Sequence, residues 1–289
     1  MEYFTLSNGR KIPAVGSGTL TFGRADSENF ESPLNGDFSG MESAIRVGYR
    51  MFDTAMAYGN EEGLGKCFET SGVPREEFFI MGKIPNRAPY NSNPENIRAS
   101  VESSLKNLRT EYLDMFLIHK AVDNAEAARG GKMDLTKTLE IWSVLTDMMH
   151  EGKLLGIGVS NFDIPQMELF LRDCGVVPMV NELRSNPAVR NLDAIAFCKA
   201  HNILPIAHSP LSGSIGPGVF ADCTEFKKKL SKIGEKYSKH WAQVQLRSNY
   251  QLGMGSIPRS SIVMEQISDL DIFDFNLTDE EMHELNGAF

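Results

Sequence analysis

The chain has 289 residues, of which 42% are hydrophobic and 23% charged, and its formal net charge is −9. These fractions are typical of a globular protein with ample material for a core, and the acidic balance argues against a nucleic-acid partner. The densest basic cluster, Lys227-Lys228-Lys229, is interpreted as a solvated helix face.

The first ten residues lack the apolar stretch of a signal peptide, and no apolar run approaches transmembrane length. We therefore expect a cytoplasmic protein with no membrane partner. The four cysteines have no paired spacing, which predicts buried thiols rather than disulfides or a zinc site; they are Cys67, Cys174, Cys198 and Cys223.

Short apolar runs alternate with amphipathic segments along the chain, after a turn at Ser7-Asn8-Gly9-Arg10 that predicts a β-hairpin. The predicted strands are Val15–Thr19, Met51–Asp53, Phe78–Lys83, Leu113–His119, Leu154–Val159, Pro178–Asn181, Ile203–His208 and Ser256–Pro258. The predicted helices between them are Ser39–Val47, Glu61–Thr70, Pro94–Leu108, Leu135–Glu151, Ile164–Arg172, Leu192–His201 and His240–Leu252.

Strands that alternate with helices indicate βαβ units, and the handedness of crossovers leaves either an open doubly wound sheet or a closed barrel. Polar residues recur at the strand ends, and eight such units favour closure, which brings all those ends to one face. No linker marks a second domain. The prediction is a single domain over residues 1–289, a (β/α)8 barrel with an N-terminal β-hairpin, and Thr21–Gly40 as a long loop at its mouth.

One segment, from Gly48 to Gly65, is more informative than the rest of the chain. A short apolar strand ends at Asp53, Tyr58 follows in the outgoing loop, and a helix with an acidic first turn begins near Asn60. A carboxylate at a strand end followed by a phenol is unusual for packing but suits an active site at the end of a barrel.

Lys83 and His119 end two further predicted strands. Asp53, Tyr58, Lys83 and His119 resemble the catalytic tetrad of the aldo-keto reductases in type, order and approximate spacing. The resemblance covers nearly the whole chain, from Gly9-Arg10-Lys11-Ile12-Pro13 to Phe273-Asp274-Phe275-Asn276-Leu277-Thr278.

Carbonyl reduction needs a hydride donor and an acid that protonates the nascent alkoxide. A phenol has a pKa near 10, and lowering it by about three units takes about 4 kcal/mol, which one ammonium about 4 Å away can supply at an effective dielectric near 20. We therefore expect Tyr58 to be the general acid and Lys83 to lower its pKa. Asp53 would keep Lys83 charged, and His119 would bind the substrate oxygen.

No nucleotide motif stands out by itself. Gly16-Ser17-Gly18-Thr19 lacks the third glycine of a dinucleotide fingerprint, and Gly59–Lys66 has one residue too many for a P-loop. The resemblance instead implies NAD(P)H laid across the barrel mouth. The cofactor positions it implies are Gly18, Thr19, Asp53, Ser160, Asn161, Glu182, His208, Ser209, Leu211, Ser214, Arg259, Ser260, Ser261, Gln266 and Asp269.

The resemblance gives a role to three segments that contain some of these positions. The Gly158-Val159-Ser160-Asn161-Phe162 segment resembles the element that holds the nicotinamide carboxamide, and Ser209-Pro210-Leu211 resembles the loop that contacts the pyrophosphate. Ser256-Ile257-Pro258-Arg259-Ser260-Ser261 resembles the element that meets the 2′-phosphate, and a guanidinium suits a phosphate dianion. NADPH is therefore expected in preference to NADH, which stays possible.

The chain departs from the common family pattern at four places. Glu182 replaces a glutamine, and an ionised carboxylate cannot donate a hydrogen bond. His208 replaces the aromatic residue that stacks on the nicotinamide, and an imidazole can titrate near neutrality. Gln266 replaces a second basic residue, and Lys120-Ala121 follows His119 where Trp-Pro is frequent.

The expected function is an NADPH-dependent carbonyl reductase acting on a small aldehyde or ketone. An NAD(P)-dependent alcohol, sugar or steroid dehydrogenase is the alternative within the class, and a nucleotide-binding sensor on the same barrel is the alternative outside it. Substrate identity is expected to depend on Thr21–Gly40, Lys120–Lys132, Ser212–Asp222 and the C-terminal tail. A monomer or weak oligomer is expected.

Overall fold

A computed structural model describes residues 2–26, 29, 31–216 and 219–287, without the side chains of residues 124 and 214–216. The chain opens with an antiparallel hairpin of β1 (Tyr3–Thr5) and β2 (Lys11–Pro13). Its turn is closed by a hydrogen bond from the Leu6 amide to the Arg10 carbonyl at 2.9 Å, and Gly9 adopts φ +84°. The predicted hairpin is confirmed.

After the hairpin, strands and helices alternate. The remaining strands are β3 (Ser17–Gly18), β4 (Met51–Asp53), β5 (Phe79–Ile84), β6 (Met115–Ile118), β7 (Ile157–Ser160), β8 (Val180–Arg184), β9 (Leu204–His208), β10 (Ser214–Gly216), β11 (Val219–Phe220) and β12 (Gly255–Ile257). The helices are α1 (Ser39–Val47), α2 (Glu61–Thr70), α3 (Pro94–Asn107), α4 (Asn124–Ala128), α5 (Leu135–His150), α6 (Ile164–Leu171), α7 (Leu192–Ala200), α8 (Thr224–Glu235), α9 (Trp241–Gln251), α10 (Val263–Leu270) and α11 (Asp279–Asn286).

Eight of the described strands form one parallel sheet in the order β12-β9-β8-β7-β6-β5-β4-β3. The two edges of this sheet meet. Val15 bridges to Ser256 in parallel, and the Gly16 amide donates to the Ser256 carbonyl at 2.9 Å. The sheet therefore closes into the predicted (β/α)8 barrel, and all its strands end on the same face.

The hairpin covers the opposite end of the barrel, where the strands begin. Leu6 and Ile12 are buried in one apolar cluster with inward-facing residues of the strands, among them Met51, Met115 and Ile206. Apolar side chains of the described residues therefore fill this end, and the predicted site residues lie at the ends of the strands, on the other side of the barrel.

The predicted elements agree with the observed ones to within one to three residues at most ends, and two discrepancies affect the site. β8 was predicted to stop at Asn181, but its pairing with β9 continues from Val180 opposite Leu204 to Arg184 opposite His208. Glu182 and Arg184 are therefore part of a strand at the barrel mouth.

The second discrepancy is that helices α4, α8, α10 and α11 were not predicted. In α8 only a narrow apolar stripe, which includes Leu230 and Ile233, is buried beneath a charged face. Helix α11 does carry a sequence signal, since Thr278 and Glu281 form a capping box.

The four cysteines that lie in the described part of the chain are buried free thiols, as predicted. None of the described helices combines the length and the apolar character needed to cross a membrane.

Candidate active site

The ammonium of Lys83 lies at the centre of the polar residues of the barrel mouth. Lys83 is in β5, is fully buried, and donates hydrogen bonds to the carboxylate of Asp53 at the end of β4 and to the Thr54 carbonyl at 3.1 Å. Its Nζ is also 3.2 Å from Oε2 of Glu182 in β8. One buried cation thus contacts two buried carboxylates, which come from strands far apart in the sequence.

These three groups shift one another's pKa values. Burial raises the pKa of the Asp53 carboxyl, although Lys83 opposes the rise. Burial and the nearby Asp53 raise the pKa of Glu182 to about 8, again against the effect of Lys83. The two carboxylates outweigh the burial of Lys83 and raise its pKa, so the ammonium stays charged. At neutral pH the cluster therefore contains the cation, one carboxylate and one protonated carboxyl, which we assign to Glu182.

Tyr58 ends a 3₁₀ turn, Met56–Tyr58, directly after β4. The Lys83 Nζ is 5.4 Å from the centre of the Tyr58 ring. Tyr58 lines a cavity at the mouth of the barrel. Burial raises the pKa of the phenol above its ordinary value, Lys83 lowers it, and Asp53 and Glu182 raise it further. Lys83 thus lowers this pKa, as expected, but burial and the nearby acidic groups outweigh its effect, so that the pKa of the phenol stays above its ordinary value.

His119 directly follows β6, and its ring meets that of Tyr58 edge to face, with 5.9 Å between the centres. Burial lowers the pKa of His119 well below its ordinary value, and Lys83 and Lys120 lower it further. The imidazole is therefore neutral near pH 7, and one ring nitrogen can donate a hydrogen bond beside the Tyr58 hydroxyl.

The loop that carries Tyr58 is fixed by two residues that the sequence did not single out. Arg24, in the long loop after β3, donates to the Tyr58 carbonyl at 2.6 Å. Buried Asn60 donates to the carbonyls of Thr19 and Phe22 at 2.8 and 3.1 Å. The predicted mouth loop is thus tied to the turn of Tyr58; its residues 27, 28 and 30 lie outside the described part.

Ser160 and Asn161 follow β7 and belong to one hydrogen-bonded network. Asn161, at φ +58°, donates through its Nδ2 to the His119 carbonyl at 3.1 Å and to the Ser160 Oγ at 2.8 Å. Ser160 donates to the Glu182 main-chain carbonyl at 3.3 Å. The segment that resembles a carboxamide-binding element therefore lies beside the tetrad.

His208, at the end of β9, joins this network through its Nε2, which is 3.0 Å from Oδ1 of Asn161. Burial lowers the pKa of His208 to about 3, and Arg184 and Lys83 lower it further. The expectation that this imidazole could titrate near neutrality is therefore wrong, because it is buried among cations.

The other predicted cofactor positions divide into two groups. Gly18, Thr19, Ser209, Leu211 and Arg259 line the cavity with the tetrad. Thr19 donates to the Asp53 carbonyl at 2.9 Å, which couples β3 to β4, and Ser209 adopts φ +51°. Ser214 begins β10, and its side chain lies outside the described residues.

The positions around α10 do not line the cavity. Ser260 Oγ donates to Oε2 of Glu265 at 2.6 Å, and Ser261 is exposed. Buried Gln266 donates both amide hydrogens, to the carbonyls of Gly40 and Ser260 at 2.8 Å each. Both hydrogens of this amide are therefore used in hydrogen bonds within the protein, one of which connects α10 to α1.

Asp269, also in α10, is buried, and burial raises its pKa to about 7.

The cavity has a volume of about 590 Å³. Tyr58, His119, Asp53 and Glu182 line it, whereas Lys83 lies buried beneath them. Its lining also contains charged residues that were not among the predicted site residues, namely Arg87, Lys120, Asp123 and Arg184. Arg184 could have been found from its place two positions after Glu182, because alternate residues of a strand face the same side.

A family model described as the aldo/keto reductase family matches residues 14–288. The chain belongs to the aldo/keto reductase family. The resemblance seen in the sequence is thereby confirmed, and the fold agrees with it.

Named relatives and a solved structure cover almost the whole chain. A glyoxal reductase of Bacillus subtilis is 35% identical over 282 residues, 98% of this chain and 91% of the relative. The methylglyoxal reductase DkgA of Escherichia coli K12 is 30% identical over 280 residues, 97% and 90% of the two chains. A crystal structure of a Bombyx mori aldo-keto reductase in complex with NADP superposes with a TM-score of 0.82 at 29% identity, covering 99% of this chain and 92% of that one.

Two charged residues of β8 lie at the mouth of the barrel. Glu182 adds a second carboxylate to the buried lysine, and Arg184 adds a cation on the same strand face. Lys83 keeps its contact with Asp53, and Tyr58 lines the cavity.

Proposed function

We infer that the chain is an oxidoreductase that uses NADPH to reduce the carbonyl group of small aldehydes or ketones. Family membership and the reductase names of its relatives support the class of reaction. The single observation that carries the proposal is the buried Lys83 ammonium, which contacts Asp53 and lies 5.4 Å from the centre of the Tyr58 ring, beneath a cavity that Tyr58 and His119 both line.

The bound cofactor would supply the hydride that reaches the carbonyl carbon. The residues of this chain deliver the proton to the carbonyl oxygen. Tyr58 stays protonated near pH 7 because its pKa is high, and its hydroxyl is the proposed donor. The neutral imidazole of His119 donates a hydrogen bond to the same oxygen and orients the carbonyl.

Lys83 is proposed to stabilise the phenolate that forms when Tyr58 gives up its proton. Once Tyr58 has given up its proton, the phenolate gains a charge-assisted contact with an ammonium held in place by Asp53. Because this interaction strengthens as charge develops on the phenol, it stabilises the transition state more than the ground state. The high ground-state pKa of Tyr58 is thus compatible with its role as acid.

The proposed dinucleotide would lie between the tetrad and the end of β12. Arg259, which follows β12, and Ser209, whose backbone is left-handed, both line the cavity. Arg259 is the proposed partner of a 2′-phosphate, because a guanidinium can bind a phosphate dianion through two hydrogen bonds. The NADP complex of the Bombyx mori relative supports NADPH over NADH.

The test is NADPH oxidation, followed by absorbance, with glyoxal, methylglyoxal and a panel of ketones. Tyr58→Phe should lower kcat by about 10²- to 10⁴-fold, since it removes the general acid, while the Kd for NADPH changes little. Tyr3→Phe is the matched control, because Tyr3 is exposed on the hairpin at the far end of the barrel.

Three outcomes would count against the proposal. Turnover by Tyr58→Phe near the wild-type rate would remove Tyr58 from the mechanism. Equal affinity for NADH and NADPH would refute the role of Arg259. Tight NADPH binding without turnover of any carbonyl compound would favour a nucleotide-binding sensor.

A further inference from the structure

The cavity is lined by three cationic residues, Arg87, Lys120 and Arg184, which we call its outer wall. This wall carries more positive than negative charge. Apart from the two carboxylates that contact the buried ammonium, Asp123 is the only acidic residue among the described residues of the lining. The entire chain, by contrast, has a net charge of −9.

Asp123 compensates only part of this charge. Its Oδ2 is 3.5 Å from Nη1 of Arg87, and its Oδ1 accepts the Ala125 amide at 3.0 Å, as the N-cap of α4. It also favours the charged form of Lys120, but its effect there is smaller than that of Arg184, which acts in the opposite direction. One carboxylate therefore faces three cations.

Arg184 lies in the same strand as Glu182, two positions after it. It ends β8 opposite His208, and its side chain is partly buried. Its Nε is fully buried and has no hydrogen-bond partner among the described residues. A guanidinium nitrogen left unpaired in this way is costly, and the cost is recovered when the side chain turns to present it to an acceptor from a ligand.

The cations of this wall also make one another's charged forms less favourable. Burial lowers the pKa of Lys120, and Arg184 and Arg87 lower it further. Burial likewise lowers the pKa of Arg184. Like charges that face one cavity are unfavourable until an anion enters between them. The wall is therefore complementary to a negative group.

We propose that the substrate is a carbonyl compound that also carries an anionic group, and that Arg184 and Lys120 bind this group while Arg87 attracts it at the cavity edge. This inference rests on the proposed function, because it assigns the substrate class of the same site. A local positive wall on an acidic protein also focuses the field at the opening, so it would raise the rate at which anions enter.

The experiment compares aldehydes that differ only in charge. Glyoxylate is paired with its primary amide, and 4-carboxybenzaldehyde with 4-formylbenzamide, so that two distances between carbonyl and carboxylate are sampled. We expect kcat/KM to be at least about tenfold higher for the acid of one pair, as one charge-assisted contact would give. This preference should shrink as salt is added.

Arg184→Gln should abolish most of the preference by raising KM for the acid about tenfold, and leave kcat/KM for the amide within about threefold. Lys120→Gln should act in the same direction and guards against a folding defect specific to Arg184→Gln. Lys232→Gln, on the exposed face of α8, changes the net charge equally but should leave the preference intact.

Calorimetric titration of benzoate and benzamide into the wild type and Arg184→Gln gives a readout without turnover. Benzoate should bind the wild type more tightly than benzamide, and lose this advantage in the variant. Absence of turnover with every aldehyde, together with this benzoate difference, would refute the proposed function while supporting the anion site.

The inference is overturned if the wild type treats acid and amide alike in both pairs. It is also overturned if Arg184→Gln weakens NADPH binding and lowers activity toward acids and amides equally, since Arg184 would then serve the cofactor. A preference for the amides would count against it as well.

Discussion

Glu182→Gln should change how the stability of this protein depends on pH. Glu182 is almost fully buried, and its pKa is raised from 4.5 to about 8. In the unfolded chain the carboxyl loses its proton near pH 4.5, whereas in the folded chain it keeps the proton until about pH 8. The folded state therefore binds more protons between these values.

The sign follows from linkage. The stabilisation is fully present below pH 4.5, declines as the pH rises, and is lost above pH 8. A difference of one proton gives a slope of about 1.4 kcal/mol per pH unit, so the whole window amounts to roughly 5 kcal/mol at most. Glutamine has no proton to lose and removes this dependence, while its amide can still accept a hydrogen bond from Lys83.

The assay is urea unfolding of both proteins at several pH values between 5.5 and 8.5. As the pH rises to 7.5, the free energy of unfolding of the wild type should fall by about 1.4 kcal/mol per pH unit relative to that of Glu182→Gln. The control is Glu281→Gln, since Glu281 is also buried but contacts with Lys236 and Tyr237 lower its pKa. That variant should differ from the wild type by a constant amount across this range.

Parallel curves for the wild type and Glu182→Gln would refute the reasoning. They would mean that Glu182 is already ionised near pH 5.5 and that Lys83 stabilises both carboxylates as anions. The proton would then not be part of the folded site.

Two further predictions concern residues whose environment differs from expectation. The imidazole of His208 should show no titration between pH 5 and 8 by NMR, because burial and neighbouring cations lower its pKa to about 3; a midpoint near 6.5 would contradict this. Gln266→Ala should lower the free energy of unfolding by about 2 kcal/mol, since it removes two buried hydrogen bonds, to the carbonyls of Gly40 and Ser260, of which only the Gly40 carbonyl keeps another donor, the Ser43 hydroxyl. Chemical denaturation measures this, and an unchanged stability with weakened NADPH binding would instead place Gln266 at the cofactor.

The sequence determined the barrel because its signals are local. Apolar runs of strand length, amphipathic helices and the Gly9 turn each depend on neighbours a few residues away, and their alternation leaves few topologies. The predicted helices at Ser39–Val47 and Glu61–Thr70 match the structure residue for residue. The site residues at strand ends could also be predicted, because parallel strands that close into a barrel must bring those ends together.

What the sequence could not decide is how charges from distant strands act on one another. Glu182 is 99 positions from Lys83 along the chain, yet their charged atoms lie 3.2 Å apart, and this contact helps set the protonation of both. The burial that raises the pKa of Tyr58 and lowers that of His208 likewise arises only when the strands pack. Electrostatic energies depend on distance and local dielectric, and both exist only once the barrel has closed.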